Sequence, residues 1–108
     1  MKVIESEKRL ERLLKNTVEN KMGGLCVKLL SDFMIGLPDR MCLLPGSRIF
    51  FIELKTTGKK PRKIQVHMHQ VLRKLGFDVY VIDSTDSMMR LLSGYENDLN
   101  SESIKSDV

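Results

Sequence analysis

The chain has only two cysteines, three prolines and no tryptophan, and it contains no long hydrophobic run. Cys26 and Cys42 are too few, and too apolar in context, to build a disulfide framework or a zinc site. No apolar stretch approaches the roughly 18 residues that cross a bilayer. The opening MKVIESEKRL is charged from its first turns, which is unlike a secretory signal. A length of 108 residues leaves no room for two domains or for a repeat array. What remains is a small intracellular domain with no membrane partner. Its 42% apolar and 30% charged residues are a globular balance, not a disordered one.

The net charge of +4 is unevenly spread. From Glu96 onward the acids Glu96, Asp98, Glu102 and Asp107 face a single base, Lys105, so this tail carries −3. We expect a domain over 1–95 and an acidic, disordered tail over 96–108. The basic body points to a polyanionic partner.

Leu10, Leu13, Leu14, Val18 and Met22 recur at helical spacing, with Ser6 as a cap and Gly23-Gly24 as the stop. Glu7 lies three residues before Leu10 and seven before Leu14, so it projects from the apolar stripe. It reads either as a carboxylate that needs a partner or as a solvated first-turn acid. Leu25 to Leu30 forms a short strand or turn. Residues 37–44 and 48–55 read as a hairpin around Pro45-Gly46-Ser47. Residues 56–61 form a loop. A helix follows, with Ile64, Met68, Val71, Leu72 and Leu75 as its expected buried face. The apolar run 77–83 reads as an internal strand parallel to 48–55. A last helix begins near Ser84 or Thr85. The fold class is α/β, a mixed β-sheet flanked by helices in the order α-β-β-β-α-β-α.

Glu53 and Lys55 are two apart on a strand and share a face with Phe51, while Ile52 and Leu54 face the other way. With Gly46 at the turn centre, Asp39 and Glu53 are each seven residues away and fall opposite one another. Paired carboxylates repel unless a cation joins them or a pKa rises. Hard oxygen ligands suit Mg2+ or Mn2+, which polarises a phosphoryl oxygen and acidifies bound water. Lys55 can stabilise charge developing on the phosphate. The plainer reading is a cross-strand cluster in which Lys55 neutralises surface acids.

Gly36-Leu37-Pro38-Asp39-Arg40, the Pro-Gly turn, Phe51-Ile52-Glu53-Leu54-Lys55 with Gly58, and Gln65 on the next helix together resemble a VRR-Nuc domain. Val79 to Asp83 resembles that family's last core strand. VRR-Nuc is a branch of the PD-(D/E)xK nuclease superfamily. The resemblance covers residues 5–92 and is to the stand-alone, virus-type members. It implies a restriction-endonuclease-like core. It implies that Asp39, Glu53 and the Leu54 carbonyl hold the metal and that Lys55 is the catalytic lysine. Gln65 would lie beside the metal, and Glu7 would be the first-helix acid, with Glu5 and Glu11 as close alternatives. The loop 31–36 departs from the family, because Phe33-Met34-Ile35 has no counterpart. A viral source would place the protein in a bacterial host's cytoplasm.

Lys59, Lys60, Arg62 and Lys63 cluster just after the catalytic strand and read as phosphate contacts, with Arg40 and Lys28 as weaker ones; Arg40 reads equally as a cross-strand partner of an acid. His67 and His69 are two apart on a helix and cannot share a metal. The Phe33-Met34-Ile35 run reads as core or subunit interface, with a wedge that opens a DNA branch as the alternative. The expected activity is a Mg2+- or Mn2+-dependent, structure-selective DNA endonuclease, a homodimeric Holliday (four-way) junction resolvase. A flap or nicking nuclease with the same site, and a non-catalytic DNA-binding module, are the alternatives.

Overall fold

The computed structural model describes residues 3–30, 32 and 34–106, with side chains through 97. The expectations for Phe33 and for the tail's side chains lie outside the described residues.

Helix α1 (Glu7–Asn16) begins as its sequence dictates, with the Ser6 side chain accepting from Arg9 N–H at 3.1 Å. It continues through a π-helical turn (Thr17–Lys21). Strands β1 (Leu25–Lys28), β2 (Arg40–Leu44), β3 (Arg48–Leu54) and β4 (Asp78–Ile82) form one sheet in the order β1-β2-β3-β4. Helix α2 (Lys63–Lys74) crosses from β3 to β4, which run parallel, and α3 (Thr85–Ser106) closes the chain. No helix among the described residues is long and apolar enough to cross a membrane. Helical backbone in α3 passes the boundary drawn at Glu96.

Alternation along β3 divides the molecule into layers. Phe50, Ile52 and Leu54 point into a core with Leu10, Leu14 and Val18 from the first helix and Met88 and Leu92 from α3. Phe51 and Glu53 point the opposite way, where the rings of Phe51 and Phe77 meet edge to face and α2 covers Glu53. Helices therefore lie on both sides of a mixed sheet.

The observed register carries the hairpin expectation through. Leu44 pairs with Arg48 and Arg40 with Ile52 around Gly46, so the next position outward sets Asp39 against Glu53. Gly36 places Asp39. Its φ is +89°, and a Cβ there would lie 2.6 Å from the Ile64 carbonyl oxygen. Only glycine lets the loop pass this close to the start of α2.

Two expectations are corrected. Strand β4 is an edge of the sheet among the described residues, not an internal strand. Its apolar run is not buried on both faces, since Val81 is 39% exposed. The inward face of α2 also differs from its apolar stripe. Gln65 and His69 are buried, whereas Ile64, Val71 and Leu75 are 41%, 37% and 68% exposed. The helix turns polar groups inward because it covers a carboxylate.

Candidate active site

The sheet opens where β2 begins. Pairing with β3 ends at Arg40, so Asp39 reaches Glu53's neighbourhood from a bend. Asp39 Oδ2 accepts from Leu54 N–H at 2.6 Å. In an extended strand a residue's N–H and C=O point to the same neighbour. The Leu54 carbonyl is therefore directed to Asp39's side of β3.

Glu53 is 1% exposed. Its Oε2 accepts from Gln65 Nε2 at 3.0 Å and lies 3.3 Å from Lys55 Nζ. Gln65 is itself fixed, because its Oε1 accepts from Arg62 N–H at 2.8 Å at the start of α2. Glu53 Oε1 faces His69 Nε2 at 3.6 Å, and both atoms are buried without a hydrogen-bond partner.

Burial, then the charge of Asp39, push the Glu53 carboxyl up to about 7, with Lys55 opposing. Burial also raises Asp39 above the ordinary carboxylate range, against the bond from Leu54, and the charge of Glu7 raises it further. Burial, then Arg73 and Lys55, hold His69 below the usual imidazole range. The centre thus gathers negative charge beside a buried carboxylate, and Lys55 is the positive charge that opposes it among the described residues.

This arrangement fits a hard divalent cation. The register sets two carboxylates against each other, and a backbone carbonyl is directed to the same side, which makes an all-oxygen set of possible donors. Among the described residues no three His, Cys, Asp or Glu side chains close on one point.

The structure separates the three acids of the first helix region. The Glu5 carboxylate accepts from Thr85 N–H at 2.8 Å and from the Thr85 hydroxyl, capping α3. Glu11 pairs with Arg40 at 2.8 Å. Glu7 forms no ion pair among the described residues, and its charge acts on both Asp39 and Glu53.

Arg40 is not a phosphate contact. It is 6% exposed and donates to the Cys26 carbonyl at 3.0 Å as well as to Glu11. A buried side chain with both terminal nitrogens engaged joins α1 to β1 and presents nothing to a ligand. Lys28, Lys59, Lys60, Arg62 and Lys63 are exposed. The loop carrying Lys59 and Lys60 is anchored at its start. Thr57 Oγ1 donates to the Asp83 carbonyl at 2.7 Å, and Gly58 N–H donates to Asp83 Oδ2 at 3.0 Å. Met34 and Ile35 are exposed, so they do not belong to the core. Cys26 and Cys42 are buried free thiols, as expected, and stand opposite each other across β1 and β2.

Sequence reasoning missed His69. The available signal was its position four residues after Gln65, one turn along the same helical face.

Comparisons with known proteins bear on the fold and the family. The chain is 40% identical over 80 residues to "Putative nuclease p44" of Acyrthosiphon pisum secondary endosymbiont phage 1, a match spanning 74% of this chain and 85% of that protein. A solved structure described as a VRR_NUC domain superposes with a TM-score of 0.72 at 28% identity, covering 84% of this chain and 99% of that one. No protein-family model matches the chain.

Proposed function

Because the chain belongs to the VRR-Nuc family of nucleases, we propose that it is a Mg2+- or Mn2+-dependent DNA endonuclease that hydrolyses phosphodiester bonds and resolves four-way junctions. The observation that carries this reading is the convergence of Asp39 and Glu53 on one side of the hairpin, with Lys55 against Glu53. Asp39, Glu53 and the Leu54 carbonyl would hold the ion. The ion supplies Lewis acidity at the scissile phosphate and lowers the pKa of a coordinated water.

The chain's own groups do the rest. Lys55 keeps an ammonium beside the carboxylates, where it stabilises charge on the phosphate. Gln65 holds Glu53 in place and is held by the α2 backbone. Glu7 adds a third negative charge, which favours a divalent ion over a monovalent one.

Lys59, Lys60, Arg62 and Lys63 present phosphate contacts along the exit of β3. These contacts are not base-specific, so selectivity for DNA shape is the natural outcome. Replacing Lys59 and Lys60 together by alanine should weaken junction binding in EDTA. It should also reduce the slope of log affinity against log salt by about two. An unchanged slope in a filter-binding or anisotropy titration would remove this loop from the interface.

A second copy of the chain gives two sites for the two cuts that resolve a junction. Ile64, Met68, Val71 and Leu75 lie within about 60° of one another around α2 and its C-cap and form an apolar stripe in which Ile64, Val71 and Leu75 are exposed and Met68 is half-buried. This stripe supports a homodimer through α2. Leu75→Glu should shift the protein from dimer to monomer in light scattering and separate junction resolution from single nicking. A wild-type protein that is already monomeric at micromolar concentration contradicts the dimer.

The decisive functional assay presents four-way junctions, flaps, nicked duplex and single strands with Mn2+ and ranks the rates. Paired symmetric cuts in the junction support resolution. Faster cutting of flaps or nicked duplex assigns the same site to that chemistry instead. Tight junction binding with no cutting leaves a DNA-binding module.

A further inference from the structure

Lys55 and Gln65 both grip the same oxygen of Glu53, Oε2. A carboxylate held by one oxygen keeps rotational freedom, because the last torsion of a glutamate is broad and two-fold. The other oxygen, Oε1, is buried without a hydrogen-bond partner among the described residues, and His69 Nε2 lies 3.6 Å from it. His69 is 2% exposed, and its Nε2 has no other partner. Two buried polar atoms left facing each other without partners are costly, and a small approach joins them. A leucine or methionine would fill this position on α2 without that cost, so packing does not explain a histidine here.

We propose that His69 is a positioning residue for Glu53, its imidazole Nε2–H bonding to Oε1 so that, with Gln65 on Oε2, it fixes the plane of the carboxylate toward the metal. Gln65 and His69 are one turn apart on α2, so a single helix grips both oxygens. The start of α2 is set by the bond from Arg62 N–H to Gln65 and by the close pass of Gly36 under Ile64. The helix thereby transmits its placement to the carboxylate. Metal affinity is sensitive to groups that orient the ligands in this way. The inference rests on the metal-nuclease reading above and adds a residue to it.

The test uses the full chain with Mn2+ alone, and it reads metal binding by calorimetry, thermal midpoint and junction cleavage separately. His69→Leu keeps volume but has no donor. His69→Gln keeps a donor. The expected result is a loss of Mn2+ affinity of about tenfold or more for His69→Leu, with a thermal midpoint at or above that of the wild type, and recovery of most of the affinity in His69→Gln. Should His69→Leu fail to fold, His69→Phe takes its place in the same comparison. Equal Mn2+ affinity in the wild type and the donor-less variant overturns the role of His69. So does equal weakening in the Gln and Leu variants, which would mean that ring shape alone matters. A wild-type protein that cleaves while these variants match it leaves the nuclease reading intact and removes His69 only. A wild-type protein that neither binds Mn2+ nor cleaves overturns both.

Discussion

Asp39→Ala and Glu53→Ala should each lower DNA cleavage on the order of a thousandfold or more while leaving the fold intact. Asp39 lies at a bend outside the hydrophobic core, and its carboxylate accepts from Leu54 N–H, while its backbone carbonyl accepts from Leu29 N–H independently of the side chain. Loss of the carboxylate leaves the Leu54 N–H without this partner but empties no core volume. Glu53 is buried, yet it sits on the face that α2 covers with polar groups, away from Phe50, Ile52 and Leu54. Lys55→Ala should behave differently. It removes the ammonium beside the phosphate, so the rate should fall while Mn2+ affinity changes little. Circular dichroism and thermal melts separate a lost site from a lost fold. Cleavage at near wild-type rate in either carboxylate variant would remove that residue from the site.

The second large effect is on stability, and its sign is unusual for a carboxylate. Folding raises Glu53 from the ordinary value of 4.5 to about 7. The folded state therefore binds the proton more tightly than the unfolded state, and metal-free stability falls as pH rises through that interval. The expected loss between pH 4.5 and 7 is on the order of 2–3 kcal/mol, complete above pH 7. Asp39 is shifted in the same direction and adds to it. Glu53→Gln carries no charge to bury, so at pH 8 without metal it should be more stable than the wild type, by roughly 10 °C or more in thermal midpoint. At pH 4 the difference should vanish. Saturating Mn2+ should raise the wild-type midpoint and leave the variant's almost unmoved. A Glu53→Gln protein that melts below the wild type at pH 8 in chelator would mean that Glu53 is not strained by burial and repulsion.

The two effects have one origin. A site built to hold a cation is destabilising without one, because the charges that attract the ion repel each other. The fold accepts that cost on the face of the sheet covered by α2 and keeps the opposite face apolar. Stability then comes from Leu10, Leu14, Phe50, Ile52, Met88 and Leu92, while the proposed chemistry rests on Asp39, Glu53 and Lys55 on the other face.

What could be read in the sequence follows from this division. The hairpin register was legible because a Pro-Gly turn and an alternating strand together admit one pairing, and that pairing sets Asp39 against Glu53. The first helix was legible because its apolar face is the core face. Helix α2 misled for the opposite reason. Its apolar stripe faces solvent, and its inward face carries Gln65 and His69, so hydrophobic periodicity points the wrong way where a helix covers a polar site. The apolar run 77–83 misled because a continuous run does not distinguish an internal strand from an edge strand whose outer residues stay half exposed. Arg40 follows the second of its two readings, partner of an acid, although the acid is on a helix and not across a strand. Its guanidinium turns inward to Glu11 and the Cys26 carbonyl, a long-range pairing that no local pattern signals.

The central claim is that Asp39 and Glu53 share one divalent ion. Crystals soaked in Mn2+ and measured for anomalous scattering test it most directly. The account predicts a strong peak within coordination distance of both carboxylates and of the Leu54 carbonyl. A peak bound by only one of the carboxylates, or Mn2+ density elsewhere with none between them, would contradict it.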